Sequence, residues 1–222
     1  VEIYDSDKEQ LEAIKKWWKE NGRSITVGLV LGIGGVVGWT SWRAYDNAQA
    51  ETASIVYEQL VNLSNAQQPT LAAEQSDILM RDFPKSMYAS LGALVRAKNA
   101  VEAGERAKAE GFLRWVMENA PEPGVQHIAR VRLARLILGD GKPQDALRLL
   151  EDSSPDGFEV LWEEARGDAL VATDDTAAAS NAYEKALGAT DVSASARRRL
   201  RMKLEDLRVE GNAPTAAEET AG

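Results

Sequence analysis

The run from Ser24 to Trp42, SITVGLVLGIGGVVGWTSW, holds no charged side chain and lies between Arg23 and Arg43. At about 1.5 Å per residue it matches a hydrocarbon core of roughly 30 Å, which predicts a transmembrane helix over 24–42. Trp17, Trp18, Trp39 and Trp42 flank it, as aromatic rings do at lipid headgroup level, and this disfavours a buried core helix. A cleaved signal peptide is the more serious rival, because Ala48-Gln49-Ala50 has the small-x-small form of a cleavage site. Against it, the apolar run exceeds the ~7–15 residues of a secretory core and ends well before that site.

Lys8, Lys15, Lys16, Lys19 and Arg23 precede the run, whereas no basic residue follows Arg43 until Arg81. By the positive-inside rule, residues 1–23 form a cytoplasmic arm and residues 43–210 a domain on the far side. Ser6 and Glu9 have capping-box spacing, and Leu11, Ile14 and Trp18 share a face, which predicts a short helix at the membrane surface. Gly28, Gly32 and Gly35 recur at helical spacing, with Gly34 and Gly38 as a second small-xxx-small pair. Such a face allows close helix packing on a membrane partner, although glycine is also simply common in membrane helices. The same glycines do not form a nucleotide loop: the last glycine of a dinucleotide fingerprint is missing, and no P-loop lysine follows.

Beyond the membrane run the pattern is all helical. Ala53, Val56, Tyr57, Leu60 and Leu63 recur at intervals of three and four in a stretch from Thr40 to Ser64 without Pro or Gly. Further apolar segments are broken at Pro69, Pro84, Gly104, Pro121–Gly124, Gly139–Pro143, Pro155–Gly157 and near Asp174. A period near the ~34 residues of tetratricopeptide repeats emerges from small residues at one constant spacing: Ala97 and Ala109, Ala134 and Ala146, Gly167 and Ala179. Small side chains let the two helices of a hairpin pack closely, while Leu113, Leu150 and Tyr183 fill the space between hairpins. This predicts a tetratricopeptide-like solenoid with repeats at 90–123, 127–160 and 160–193, helical caps before 84 and after 192, and a disordered tail over 211–222.

Chemistry is sparsely provided for. Cysteine is absent and His127 is the single histidine, so thiolate sites and paired-imidazole metal centres cannot be built; no metal site or cofactor is expected. Residues 44–222 carry 20 basic and 29 acidic side chains, which argues against a broad grip on nucleic acid or anionic lipid. The carboxylate pairs Glu163–Glu164 and Asp174–Asp175 have no nucleophile beside them and read as solvated faces. Arg166-Gly167-Asp168 spells an adhesion tripeptide, but its glycine falls at the repeat's packing position. The basic run Arg197, Arg198, Arg199, Arg201 and Lys203 reads either as a capping helix or as a landing patch for an acidic partner. The first helix of each stacked hairpin lines the inner side, which makes Arg96, Arg130, Arg135 and Glu163 the candidates for partner contact.

The opening EIYDSDKEQLEAIKKWWKENG, the glycine-rich span ending Gly38-Trp39, and the stretches Arg132-Leu133-Ala134-Arg135 and Arg166-Gly167-Asp168-Ala169-Leu170 resemble the YfgM family of ancillary SecYEG translocon subunits over most of residues 2–209. The resemblance implies a bacterial inner-membrane protein with its amino terminus cytoplasmic and a periplasmic tetratricopeptide-like domain, associated with the SecYEG translocon and a PpiD-like chaperone. The expected function is that of a non-enzymatic adaptor for a chaperone or emerging clients. The alternative is a repeat scaffold in another envelope complex.

Overall fold

Residues 2–151 and 156–211 are described by a computed structural model, and every regular element among them is an α-helix. The chain divides into two compact units, Val1–Thr52 and Ala53–Gly222. Helix α1 runs from Glu2 to Asn65.

Within the first unit, the large apolar side chains of the membrane run are exposed, Leu31 reaching 70 %, and the most apolar window has no buried residue. A soluble protein's core helix would bury them; full exposure fits a helix whose solvent is lipid. At the carboxyl-terminal end of the run Trp39 and Trp42 meet edge to face at 5.6 Å, and the Arg43 guanidinium lies 5.4 Å from the Trp39 ring. One expectation is corrected. No separate arm helix is capped at Ser6, because the helix has already begun at Glu2 and continues through Asn21-Gly22 into the apolar run. The side chains of Asn21 and Thr26 return their hydrogen bonds to the carbonyls of Trp17 and Gly22, at 3.1 and 2.7 Å, so this polar stretch satisfies itself without leaving the helix.

The second unit is a stack of hairpins. The carboxyl-terminal part of α1 and α2 (Pro69–Asp82) precede three pairs: α3 (Met87–Glu102) with α4 (Arg106–Asn119), α5 (Pro123–Gly139) with α6 (Pro143–Leu149), and α7 (Glu159–Val171) with α8 (Thr176–Gly188). Helix α9 (Ala194–Gly211) closes the array. Pro69, Pro123 and Pro143 each begin a helix, where the missing N–H costs no hydrogen bond. The first helices start at Met87, Pro123 and Glu159, a constant step close to the expected period. All three pairs start earlier than the sequence pattern placed them, at Met87, Pro123 and Glu159 instead of 90, 127 and 160, and α6 is only two turns long. The breaker at Pro155 and the tail from 212 onward lie outside the described residues.

Among the described residues the core forms three patches. Ala53, Leu60, Leu79 and Ala89 form one; residues of α3 to α7, including Leu113, Leu133, Leu150 and Trp162, form the second; Tyr183, Leu200 and Leu207 lead the third. All six small residues that defined the period are buried. At Gly167 the reason is explicit, since a Cβ added there would collide with the Tyr183 ring, whereas one at Gly111 on α4 would meet nothing within 4 Å. Gly167→Ala should therefore destabilise the domain by about 1–3 kcal/mol despite alanine's better helix propensity. Gly111→Ala should stabilise it by about 0.5–1 kcal/mol. Thermal unfolding of the two variants side by side checks both signs.

Candidate partner-binding groove

Along α3 the positions 94, 97, 98, 101 and 102 share one helical face, and along α5 the positions 132, 135, 136 and 139 do likewise. The two faces, with Arg106 and Leu113 of α4, enclose an open groove of about 520 Å³. Its floor is aliphatic: Leu94, Ala97, Leu113 and Leu136 are buried, and Val101 stays 45 % exposed above them.

The rim is basic. Lys98 pairs with Glu102 on its own helix at 3.5 Å. Arg106 is fixed, donating to the Asp140 carboxylate and, at 2.6 Å, to the Leu136 carbonyl; Gly139 leaves the room its guanidinium occupies. Arg132 is exposed and makes no ion pair among the described residues. Arg135 is half-exposed and stands 3.6 Å from Glu164 on α7, a carboxylate already held more tightly by other cations.

Glu164 is the centre of a second arrangement, which the sequence concealed. Its carboxylate, 2 % exposed, accepts from Arg199 at 2.6 and 2.7 Å and from Lys203 at 2.9 Å, both on α9. Burial alone would raise its pKa, but the hydrogen bonds and charges of Arg199 and Lys203 outweigh burial and bring it from 4.5 to about 2. Lys203 also reaches Asp168 at 2.5 Å, and Asp168 accepts the Tyr183 hydroxyl at 2.8 Å. The reading of Glu163 and Glu164 as a solvated face is thereby corrected: both are buried, because α7 packs against α5, α6 and α8, and the Arg199 and Lys203 side chains of α9 reach over Glu164. From the basic run, Arg199 and Lys203 clamp α9 to α7. Asp174 and Asp175 are exposed turn residues, with Asp175 capping α8 through the Ala178 N–H.

The four residues singled out by sequence occupy different settings. Arg96 stacks at 4.7 Å on the Phe112 ring and donates to the Ala73 carbonyl and Asp77, tying α2, α3 and α4 together. Arg130 lies 5.8 Å from the Trp162 ring. Near it, His127 packs against Phe158 and Trp162, and burial followed by the Arg130 charge lowers its pKa. Glu163 has one buried carboxylate oxygen without a hydrogen-bond partner and borders a smaller cavity with Arg166, Asn181 and Lys185. Only Arg135 lines the α3–α5 groove. Sequence reasoning missed its other members, Lys98, Val101, Arg132 and Leu136, although their spacing on first helices was available as a signal. In the first unit, a separate shallow groove runs along Gly28, Gly32, Ile25, Leu29, Ile33 and Val36, and a Cβ at Gly28, Gly32 or Gly35 would meet nothing within 4 Å.

Comparison with known proteins places these features in one lineage. The family model for a tetratricopeptide repeat-like domain matches residues 15–209. The ancillary SecYEG translocon subunit of Escherichia coli K12 is 26 % identical over 209 residues, covering 94 % of this chain and all of that protein. Its counterpart in Aggregatibacter actinomycetemcomitans is 31 % identical over 81 % of this chain and 88 % of its own length. That of Haemophilus influenzae is 29 % identical with the same coverage. No solved structure matches. With the repeat-like family model matching residues 15–209 and those relatives covered over 88 % or more of their length, the chain belongs to the family of ancillary SecYEG translocon subunits.

Proposed function

We infer that the chain is a non-enzymatic adaptor of the SecYEG translocon, anchored in the bacterial inner membrane by residues 24–42. Residues 1–23 stay in the cytoplasm, and residues 43–210 present the repeats in the periplasm to a PpiD-like chaperone or to emerging client proteins. The observation that carries this reading is the combination, in one chain, of an exposed apolar helix long enough to span a membrane with an open groove on the first helices of the repeats. The relatives named for SecYEG supply the site of action. The basic flank before the anchor supports the orientation. The unobstructed face of Gly28, Gly32 and Gly35 suits lateral packing on another membrane helix.

Crosslinking probes placed along residues 25–42 of the full chain in membranes, read by mass spectrometry, should recover SecYEG subunits. Replacing Gly28, Gly32 and Gly35 together by leucine should preserve insertion and weaken that recovery. A reporter active only outside the cytoplasm, fused after Glu210, should be active. Recovery of no translocon subunit, or a silent reporter, would refute this reading, and a mature chain beginning at Glu51 would establish cleavage instead of anchoring.

A further inference from the structure

We propose that the α3–α5 groove is a docking site for an acidic protein segment that carries aliphatic anchor side chains. This deepens the adaptor reading and rests on it for the source of the segment. Two observations specify the occupant. The floor of Leu94, Leu113 and Leu136, with Val101 half open above it, offers a dry surface to an aliphatic side chain and nothing to a polar one. Above that floor, Lys98, Arg106, Arg132 and Arg135 face one opening, with Glu102 and Asp140 as the acidic groups paired there. In a chain of net charge −9 this is a local excess of positive charge, so it is complementary to a negative ligand while the rest of the protein repels one.

The arginines are not equivalent. Asp140 and the Leu136 carbonyl hold Arg106, so it shapes the wall. Arg135 is drawn partly toward Glu164. Arg132 has no carboxylate partner among the described residues, and its fork faces the opening, where it suits a bidentate carboxylate from outside. The segment therefore places aliphatic side chains over Val101 and Leu136 and an aspartate or glutamate against Arg132. A free anionic lipid surface fits less well, because a concave groove cannot lie flat on a bilayer and the surrounding domain is acidic.

The test uses the full chain in detergent and a fluorescent peptide of about 12 residues, two leucines three positions apart among aspartates and glutamates. A second peptide replaces every acidic residue by lysine. Fluorescence anisotropy should show binding of the acidic peptide alone, weakening as salt is raised from about 50 to about 500 mM. Arg132→Glu and Val101→Asp, both at exposed positions, should each weaken it about tenfold or more while leaving the thermal unfolding midpoint unchanged. Arg132→Lys should lose less than Arg132→Glu. Equal binding of the two peptides, or unchanged affinity in Arg132→Glu, overturns the proposal. So does an acidic peptide that fails to bind while phosphatidylglycerol vesicles bind through Arg132. Crosslinking to SecYEG is read in parallel: if it persists while the peptide fails, the groove inference falls and the adaptor reading stands. If the peptide binds while SecYEG is never recovered, the groove stands and its place beside the translocon falls.

Discussion

Truncating Tyr183 to alanine should cost the domain about 3–5 kcal/mol, the range for emptying a buried aromatic site. The ring is 2 % exposed, fills the notch left by Gly167, and has the Lys203 ammonium 5.5 Å from its centroid. Its hydroxyl adds only the bond to Asp168, and Asp168 keeps Lys203, so Tyr183→Phe should lose no more than about 1 kcal/mol. Ring and notch are one device, which a double-mutant cycle can expose. With Tyr183 already truncated, Gly167→Ala should turn from destabilising to neutral or favourable, because its Cβ then meets empty space. Thermal unfolding of the full chain in detergent reads the singles and the double. For a domain of this size, the Tyr183→Ala midpoint should fall by roughly 10 °C. Additive effects of the two substitutions would show that the collision is relieved some other way.

Glu164→Ala is the second large effect, about 2–3 kcal/mol, because it empties a buried site and removes the carboxylate that holds Arg199, leaving Lys203 with Asp168 alone. The pH dependence has a definite sign. Glu164 ionises near 2 when folded and near 4.5 ordinarily, so the unfolded chain takes up its proton first as pH falls. The stability that Glu164 contributes is complete above about 4.5 and drains away between there and about 2. Measured as wild type minus Glu164→Gln, the stability gap should be flat at neutral pH and shrink across that interval. A gap that widens on acidification would contradict the clamp. Hydrogen exchange should locate the damage, with the amides of α9 losing protection in Glu164→Ala before those of α3 and α4.

What could be read from the sequence alone was whatever depends on near neighbours. The uncharged run 24–42 is a local property, and so is the repeated spacing of Ala97 to Ala109, Ala134 to Ala146 and Gly167 to Ala179, since both helices of a hairpin lie within one repeat. Burial of Glu164 was illegible because its partners lie 35 and 39 residues away on a helix outside the repeats. Seen without α9, two adjacent glutamates can only look solvated. The internal setting of Arg96 was illegible for a related reason: Phe112 and Asp77, which engage it, are brought in by flanking helices. Ser6 failed in the opposite way, as a short local signal inside a helix that had already begun. The basic groove fell between these cases. Its residues sit at regular helical intervals, but nothing in the chain order says that the α3 and α5 faces meet.

The main helix contacts join elements adjacent or next but one in sequence, and the α9 clamp on α7 reaches no further. Such a chain can fold in the order in which it is made. At a synthesis rate of about 5–20 residues per second, Lys203 follows Glu164 by roughly 2–8 s. During that interval α7 has the Glu164 carboxylate but not the α9 cations that pair it in its buried site, so the last hairpin should stay hydrated while the earlier ones close. Arrival of α9 should then be the closing event, which would make this helix a timing element as well as a cap. A chain stopped after Gly188 should keep α3 to α6 protected from hydrogen exchange and leave α7 and α8 open.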